Sequence, residues 1–297
     1  MPLKTLKTEK RNRASAGLDA MSALQIATMM NREDAAVPRA IRGALPQIAE
    51  GIDLIARQLA RGGRLIYVGT GTSGRIGALD AAEVPPTFGL SAETVQFVMA
   101  GGEAALPHAA EANEDDPHLG RRDMAARKPG RKDVVVGLAA SGRTPYTVAA
   151  LQYAQKKQAA TIAVVCNRGS ELARHARLAI EVEVGPEVLA GSTRLKAGTA
   201  QKLICNMLST GAMARLGYVY DNLMVNLRPK NHKLFERGIS IIENAAGVNH
   251  AQALQALQLA DGRVPLAILM LKTKTNRTQA ERRLRRAGGV VRRALGD

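Results

Sequence analysis

The sequence predicts an α/β fold: a mostly parallel sheet with helices on both faces, N-terminal helices before it and a small helical appendage after it. Three observations lead there. Strand-like apolar runs recur at residues 64–68, 94–99, 133–138, 160–166 and 178–184, with helical patterns between several of them. Two of these runs end in small-residue loops that open helices, the arrangement found at the carboxyl ends of parallel strands. After Pro229 the pattern changes to a series of short helical segments.

The bulk numbers agree. A chain of 297 residues holds one large α/β domain plus an appendage, with a core that needs no cross-links. Cys166 and Cys205 lie in apolar patterns and read as core residues of a reducing compartment. No run reaches the 18 or so apolar residues of a membrane span, and Met1-Pro2-Leu3-Lys4 lacks the apolar stretch of a secretory signal, so a cytoplasmic protein with no membrane partner is expected. The net charge of +16 sits mostly at the ends: residues 1–13 carry five Lys/Arg against one acid, and residues 262–297 carry ten against two. With three Phe and no Trp there is little for bases to stack on, so specific nucleic-acid recognition is not expected. Weak, salt-sensitive association with polyanions is. His108, His118, His175, His232 and His250 show no paired metal-ligand spacing.

Taken in order, Leu18, Met21, Leu24, Ile26 and Met29 predict an amphipathic helix over 16–31. Val37, Ile41, Leu45, Ile48, Ile52, Ile55 and Leu59 predict another over 35–61, in which Pro46 either kinks the helix or starts a second one. The strand Leu65-Ile66-Tyr67-Val68 runs into Gly69-Thr70-Gly71-Thr72-Ser73-Gly74-Arg75. A glycine-rich turn opening a helix aims backbone N–H groups and the positive helix end at one point, which favours an anion. The hydroxyls of Thr72 and Ser73 add donors. Gly69, Gly71 and Gly74 also satisfy a dinucleotide fingerprint, but the acid that should end the next strand is missing, since Glu93 stands at its start. Pro85-Pro86 is expected to interrupt this helix early.

The strand at 133–138 ends in Ala139-Ala140-Ser141-Gly142-Arg143-Thr144-Pro145, with Thr144 placed as helix N-cap and Pro145 at the first helical position. Two serine-bearing loops at strand ends can converge on one phosphate. Residues 191–199, with Ser192 and Lys196, open a long helix and offer a further N-terminus; Lys196 reads equally as a ligand or as a solvated side chain. Helices follow over 231–246, 251–259 and 264–271, and then one opened by a Thr278/Glu281 capping box and closed by Gly288-Gly289. The expected division is 1–60, an N-terminal helical segment; 61–240, the domain that carries the two anion-binding loops; and 241–297, a small helical domain.

Several segments together resemble the N-acetylmuramic acid 6-phosphate etherases of the sugar-isomerase (SIS) superfamily. They are Thr8-Glu9-x-Arg11-Asn12, Met30-Asn31-x-Glu33-Asp34, Gly71 to Arg75, Asp80-Ala81-x-Glu83-x-Pro85-Pro86-Thr87, Ala140 to Tyr146, and Gly191-Ser192-Thr193-Arg194-x-Lys196 to Lys202. The resemblance implies a SIS-type α/β sandwich with a UBA-like appendage, and removal of the lactyl ether from N-acetylmuramic acid 6-phosphate. It implies Glu83 and Glu114 as catalytic carboxyls. Ser73, Ser141 and Thr144 would hold the phosphate, and Thr72, Gly142, Ser192 and Lys196 would complete the substrate contacts. A homodimer is implied, and no cofactor or metal. The setting of Glu83 beside Val84-Pro85-Pro86 is expected to raise its pKa. Val84 stands where the family usually has cysteine, Ala112-Asn113 replaces a Gly-Ala pair, and Lys230 replaces a common threonine. A sugar-phosphate isomerase or a non-catalytic sensor would use the same loops, but two carboxyls favour catalysis.

Overall fold

The computed structural model describes residues 6–108, 113–227 and 232–296, so Ala112 and Lys230 lie outside the described residues. Strands β1 Leu65–Gly69, β2 Val95–Met99, β3 Val134–Ala139, β4 Ala160–Val165 and β5 Leu178–Glu181 form one sheet in the order β2-β1-β3-β4-β5. Every pairing is parallel. All five expected strands are present. Residues of β1, β3 and β4 are buried throughout, as continuous apolar runs without alternation require.

The strand order places a topological switch between β1 and β3. From β1 the chain moves outward to β2, then returns across β1 to β3 and continues to β4 and β5. Gly69, the last residue of β1, pairs in register with Leu138, next to last in β3. The loops leaving these two strands are therefore neighbours at the carboxyl edge of the sheet, where ligands bind in open α/β folds.

Two compact units divide the chain: the described residues to Ala82 with Ala92–Ser209, and Glu83–Ser91 with Thr210 onward. The first unit holds the sheet. Helices α1 Ala23–Asp34, α2 Ala36–Arg42 and α3 Leu45–Ala60 precede it, α4 begins at Gly71 and runs to Phe88, and α5 Pro117–Ala126, α6 Pro145–Lys156, α7 Glu171–His175 and α8 Lys196–Leu216 follow. One face of the sheet packs Ile66, Val68, Val135 and Val165 against Met124, Tyr146, Leu151 and Leu172. Helix α3 packs against β5 and β3. At the start of the sheet, Arg64 grips Asp133 through Nε (3.1 Å) and Nη2 (2.8 Å), joining the entries to β1 and β3.

Three local expectations are corrected here. The first helix starts at Ala23 rather than 16, because Ser22 and Gln25 form a capping box. Pro46 opens α3 instead of kinking a longer helix. Helix α4 is not interrupted by Pro85-Pro86 but runs to Phe88. Both prolines fall in its last turn, where few hydrogen bonds remain to be lost.

The second unit contains α9 His232–Ala246, α10 His250–Leu259, α11 Val264–Thr273, α12 Arg277–Arg286 and α13 Val291–Leu295. At its centre lies α11, whose Val264, Leu266, Ala267, Ile268 and Leu269 are fully buried among Ile239, Ile242, Leu257, Ala280 and Val291. The capping box of α12 is Asn276/Gln279, not Thr278/Glu281. Asn is the stronger N-cap, and Glu281 instead bonds Arg263 and Arg277. Among the described residues no single helix is long and apolar enough to cross a membrane.

Candidate active site

Helix α4 starts within two residues of the end of β1. Its first intrahelical bond runs from Gly74 N–H to the Thr70 carbonyl at 2.9 Å, so the N–H groups of Gly71, Thr72 and Ser73 have no carbonyl within the helix. Gly71 makes the turn at a φ of +49°, in the left-handed region. The result is a set of donors at a helix N-terminus beside the switch point.

The second loop is shaped by Gly142, whose φ is +69° and whose Cβ would lie 2.2 Å from Ser170 Oγ. No other residue fits there. The Gly142 carbonyl accepts from Leu172 N–H (2.9 Å), and Ser141 Oγ accepts from Arg143 N–H (3.3 Å). Thr144 is the N-cap of α6 and Pro145 follows it, as expected, but the Thr144 hydroxyl makes no capping hydrogen bond. That hydroxyl is available to a ligand.

Glu114 joins the two loops. Its backbone carbonyl accepts from Tyr146 N–H in the first turn of α6 (3.1 Å), and its Oε1 lies 3.0 Å from the position of a Cβ on Gly71. The segment around it is held on both sides. Asp116 caps α5 through His118 N–H (2.7 Å) and Leu119 N–H (3.3 Å). The buried Tyr146 hydroxyl donates to Asp123 of α5 (2.8 Å). Upstream, Arg75 of α4 donates to the carbonyls of Leu106 (2.7 Å), Ala105 (2.8 Å) and His108 (2.8 Å). No local pattern in the sequence marks Arg75 for these contacts.

The start of α8 meets the first loop. A Cβ on Gly198 would lie 3.5 Å from Thr72 Cγ2, and Ser73 Oγ donates to Gln201 Oε1 at 2.9 Å. Gln201 Nε2 is buried and has no hydrogen-bond partner among the described residues. Gln201 and Ser73 can exchange polarity: turning the amide over lets Nε2 donate to Ser73 Oγ and frees the hydroxyl proton for an anion. Gln201 was legible in the sequence only as a member of a motif.

The N-terminus of α8 does not add an anion site, because a protein carboxylate already occupies it. Fully buried Glu187 accepts from the N–H groups of Lys196 and Ala197, both at 2.9 Å. Burial raises the Glu187 pKa, against these two donors and the Lys196 charge. Lys196 is neither solvated nor uncommitted: its ammonium is buried and lies 2.8 Å from Glu33 Oε2, which also accepts from Asn12 Nδ2 (2.7 Å). The Lys196 bond is the main reason that Glu33 sits below the usual carboxylate range. Ser192 is half-buried in the turn before α8, its N–H on the Leu189 carbonyl (2.9 Å).

A buried carboxylate fixes α4 in place. Asp80 Oδ2 accepts from the Tyr67 hydroxyl of β1 (2.7 Å), and Oδ1 accepts from Asn206 Nδ2 (3.0 Å) and Ser209 Oγ (3.1 Å) of α8. Burial pushes the Asp80 pKa up. Three residues on, Glu83 is exposed, while Val84 and Pro85 are buried. Among the described residues no apolar setting covers Glu83 as expected, because consecutive helix positions point about 100° apart and burying Val84 turns Glu83 outward. Leu79, one turn earlier on that face, is 50% exposed.

Residues 47–155 match the family model of the glucokinase regulatory protein N-terminal SIS domain, residues 122–210 the SIS domain, and residues 221–260 the C-terminal lid domain of glucokinase regulatory protein. An N-acetylmuramic acid 6-phosphate etherase from Oenococcus oeni is 49% identical over the whole of both chains. One from Yersinia pestis is 50% identical over 99% of this chain and 100% of its own. Among solved structures, a phosphoheptose isomerase from Francisella tularensis superposes with a TM-score of 0.52 over 65% of this chain and 98% of its own. At 18% identity that likeness shows the fold alone.

Proposed function

The chain belongs to the N-acetylmuramic acid 6-phosphate etherases, and we propose that Glu114 is the base of the reaction and the loops after β1 and β3 are its phosphate grip. The enzyme is a carbon–oxygen lyase that removes D-lactate from N-acetylmuramic acid 6-phosphate and leaves N-acetylglucosamine 6-phosphate. The observation that carries the assignment of roles is the place of Glu114, bonded to α6 and lying against Gly71.

An alkyl ether is a poor leaving group, so direct displacement at carbon 3 is slow. In the open-chain sugar the carbon 1 carbonyl acidifies the carbon 2 proton. Glu114 takes that proton, the electron pair forms the carbon 2–carbon 3 double bond, and the carbon 3–oxygen bond breaks as Glu83 protonates the departing lactate. Water then adds at carbon 3 and carbon 2 regains a proton. The N–H groups of Gly71, Thr72 and Ser73, with the hydroxyls of Thr72, Ser73, Ser141 and Thr144, hold the phosphate, and Gly142 lets the second loop approach it. Lys196 and Ser192 act through the placement of α8.

Glu83 is exposed and shares its helix face with Leu79, and both are covered if a second copy of the chain packs on α4. We therefore read the enzyme as a homodimer in which the partner closes the site around Glu83. It works in the cytoplasm, where the charge of a phosphorylated sugar retains it, and the free thiols of Cys166 and Cys205 suit a reducing compartment. The division at 60/61 and 240/241 is kept as a functional one, since every assigned site residue falls within 61–240.

The test is turnover of N-acetylmuramic acid 6-phosphate in heavy-oxygen water. Release of lactate with label at carbon 3 of the sugar is expected. An isomerised sugar without lactate, or intact substrate, would overturn the proposal.

A further inference from the structure

Helices α3 and α6 end at the edge of the sheet where the strands begin, away from the catalytic loops. Here the first unit has a cavity of about 700 Å3. Arg57 and Arg61 at the end of α3, Arg131 before β3 and Arg177 before β5 line it, together with Gln158 and Thr161. Four arginines come from three separate segments of chain, and no lining residue is acidic.

The segments that carry them are tied down. Gln58 Nε2 donates to the Arg131 carbonyl at 2.7 Å, the Arg131 guanidinium donates to Gln158 Oε1, and Arg177 N–H donates to Thr161 Oγ1 at 3.0 Å. All four arginines are exposed, so their charged ends are accessible from solvent. The carboxyl ends of α3 and α6 attract cations, but each carries only roughly half a negative charge. Two helix ends therefore account for about one of the four positive charges, and a surplus near +3 remains.

We propose that this cavity is a second anion site, separate from the catalytic loops, and that it takes a small polyanion bearing two or more phosphate groups. Guanidinium forks match phosphate oxygens two at a time. The volume lies within the range of roughly 300–1,000 Å3 of metabolite sites, and a concave wall of one sign concentrates the field.

The experiment is calorimetric titration of the full chain with inorganic pyrophosphate at low and at moderate salt, with N-acetylglucosamine 6-phosphate present at saturation to fill the catalytic loops. Three forms are compared: wild type, the double variant Arg61→Ala/Arg177→Ala, and Thr144→Val, which weakens only the catalytic loops. Wild type should bind with an affinity that falls as salt rises. The arginine double variant should bind at least tenfold more weakly while its KM for substrate stays within twofold of wild type. Thr144→Val should bind pyrophosphate as wild type does. Absence of binding by wild type, binding by the double variant within twofold of wild type, or binding lost in Thr144→Val and kept in the double variant would each overturn the proposal. All the altered side chains are exposed or half-buried, and circular dichroism checks that each variant is folded.

Discussion

Glu114 Oε1 stands 3.0 Å from the point where Gly71 would carry a Cβ. The carboxyl group of one loop thus rests against the turn that opens α4. Gly71→Ala should push that carboxyl aside and strain a backbone whose φ is +49°, at a cost of about 1–2 kcal/mol. Steady-state kinetics should show kcat falling more than KM changes, with a modest loss in melting temperature. An unchanged kcat would mean that the contact between Gly71 and Glu114 does not matter for turnover.

The two carboxyls should separate by what they abolish. Glu114→Gln should eliminate exchange of the carbon 2 proton with deuterium oxide and lower kcat by roughly 10²- to 10⁴-fold. Glu83→Gln should stop lactate release and leave that exchange running. Magnetic resonance of the sugar, run beside a lactate assay, reads both, and exchange that persists in the Glu114 variant removes it from the role of base.

The hydroxyls of Thr144 and Ser73 should behave differently. Thr144 makes no capping bond, so Thr144→Val should raise KM roughly tenfold or more, the loss of one hydrogen bond to a charged group, without lowering the melting temperature. Ser73 bonds Gln201, so Ser73→Ala leaves a buried amide with no partner at either end and should lower stability by about 1–3 kcal/mol as well as raise KM. Thermal melts beside KM values distinguish the two.

Asp80 accepts from three donors on β1 and α8, the buried Tyr67 and Ser209 hydroxyls and the half-buried Asn206 amide. Asp80→Ala strands all three and should cost about 2–4 kcal/mol. Chemical denaturation gives the value, and a loss under 1 kcal/mol would show that the network is not what holds α4.

Acid should weaken the entry to the sheet. Burial raises the Asp133 pKa, but Arg64 and the Gly130 N–H outweigh it, and the carboxyl ends below its ordinary value of 3.8. The folded state therefore holds this proton less tightly than the unfolded chain does. The stabilisation is present above about pH 4 and is lost as pH falls through the folded pKa. Asp133→Asn should flatten the acid limb of the stability profile, measured by urea melts from about pH 2.5 to 6. A limb as steep as that of wild type would assign the acid sensitivity to other groups.

The central strands β1, β3 and β4 were legible as nearly unbroken apolar runs, which burial on both faces of a parallel sheet demands, and the edge strands β2 and β5 as apolar runs broken by Gln96 and by Glu181. The two glycine loops were legible from local geometry: Gly71 and Gly142 answer to a positive φ and to one close contact each. What no local pattern carries is adjacency. That β1 lies beside β3, that Glu114 reaches the turn of Gly71, that Glu187 already caps α8 and that Lys196 is paired with Glu33 all depend on side chains up to 163 residues apart in the chain. The exposure of Glu83 belongs with them, since burial of Val84 depends on how the whole of α4 is packed. Propensity and periodicity act over a turn of helix or a few residues of strand, whereas a charge finds its partner only after the chain has closed into three dimensions.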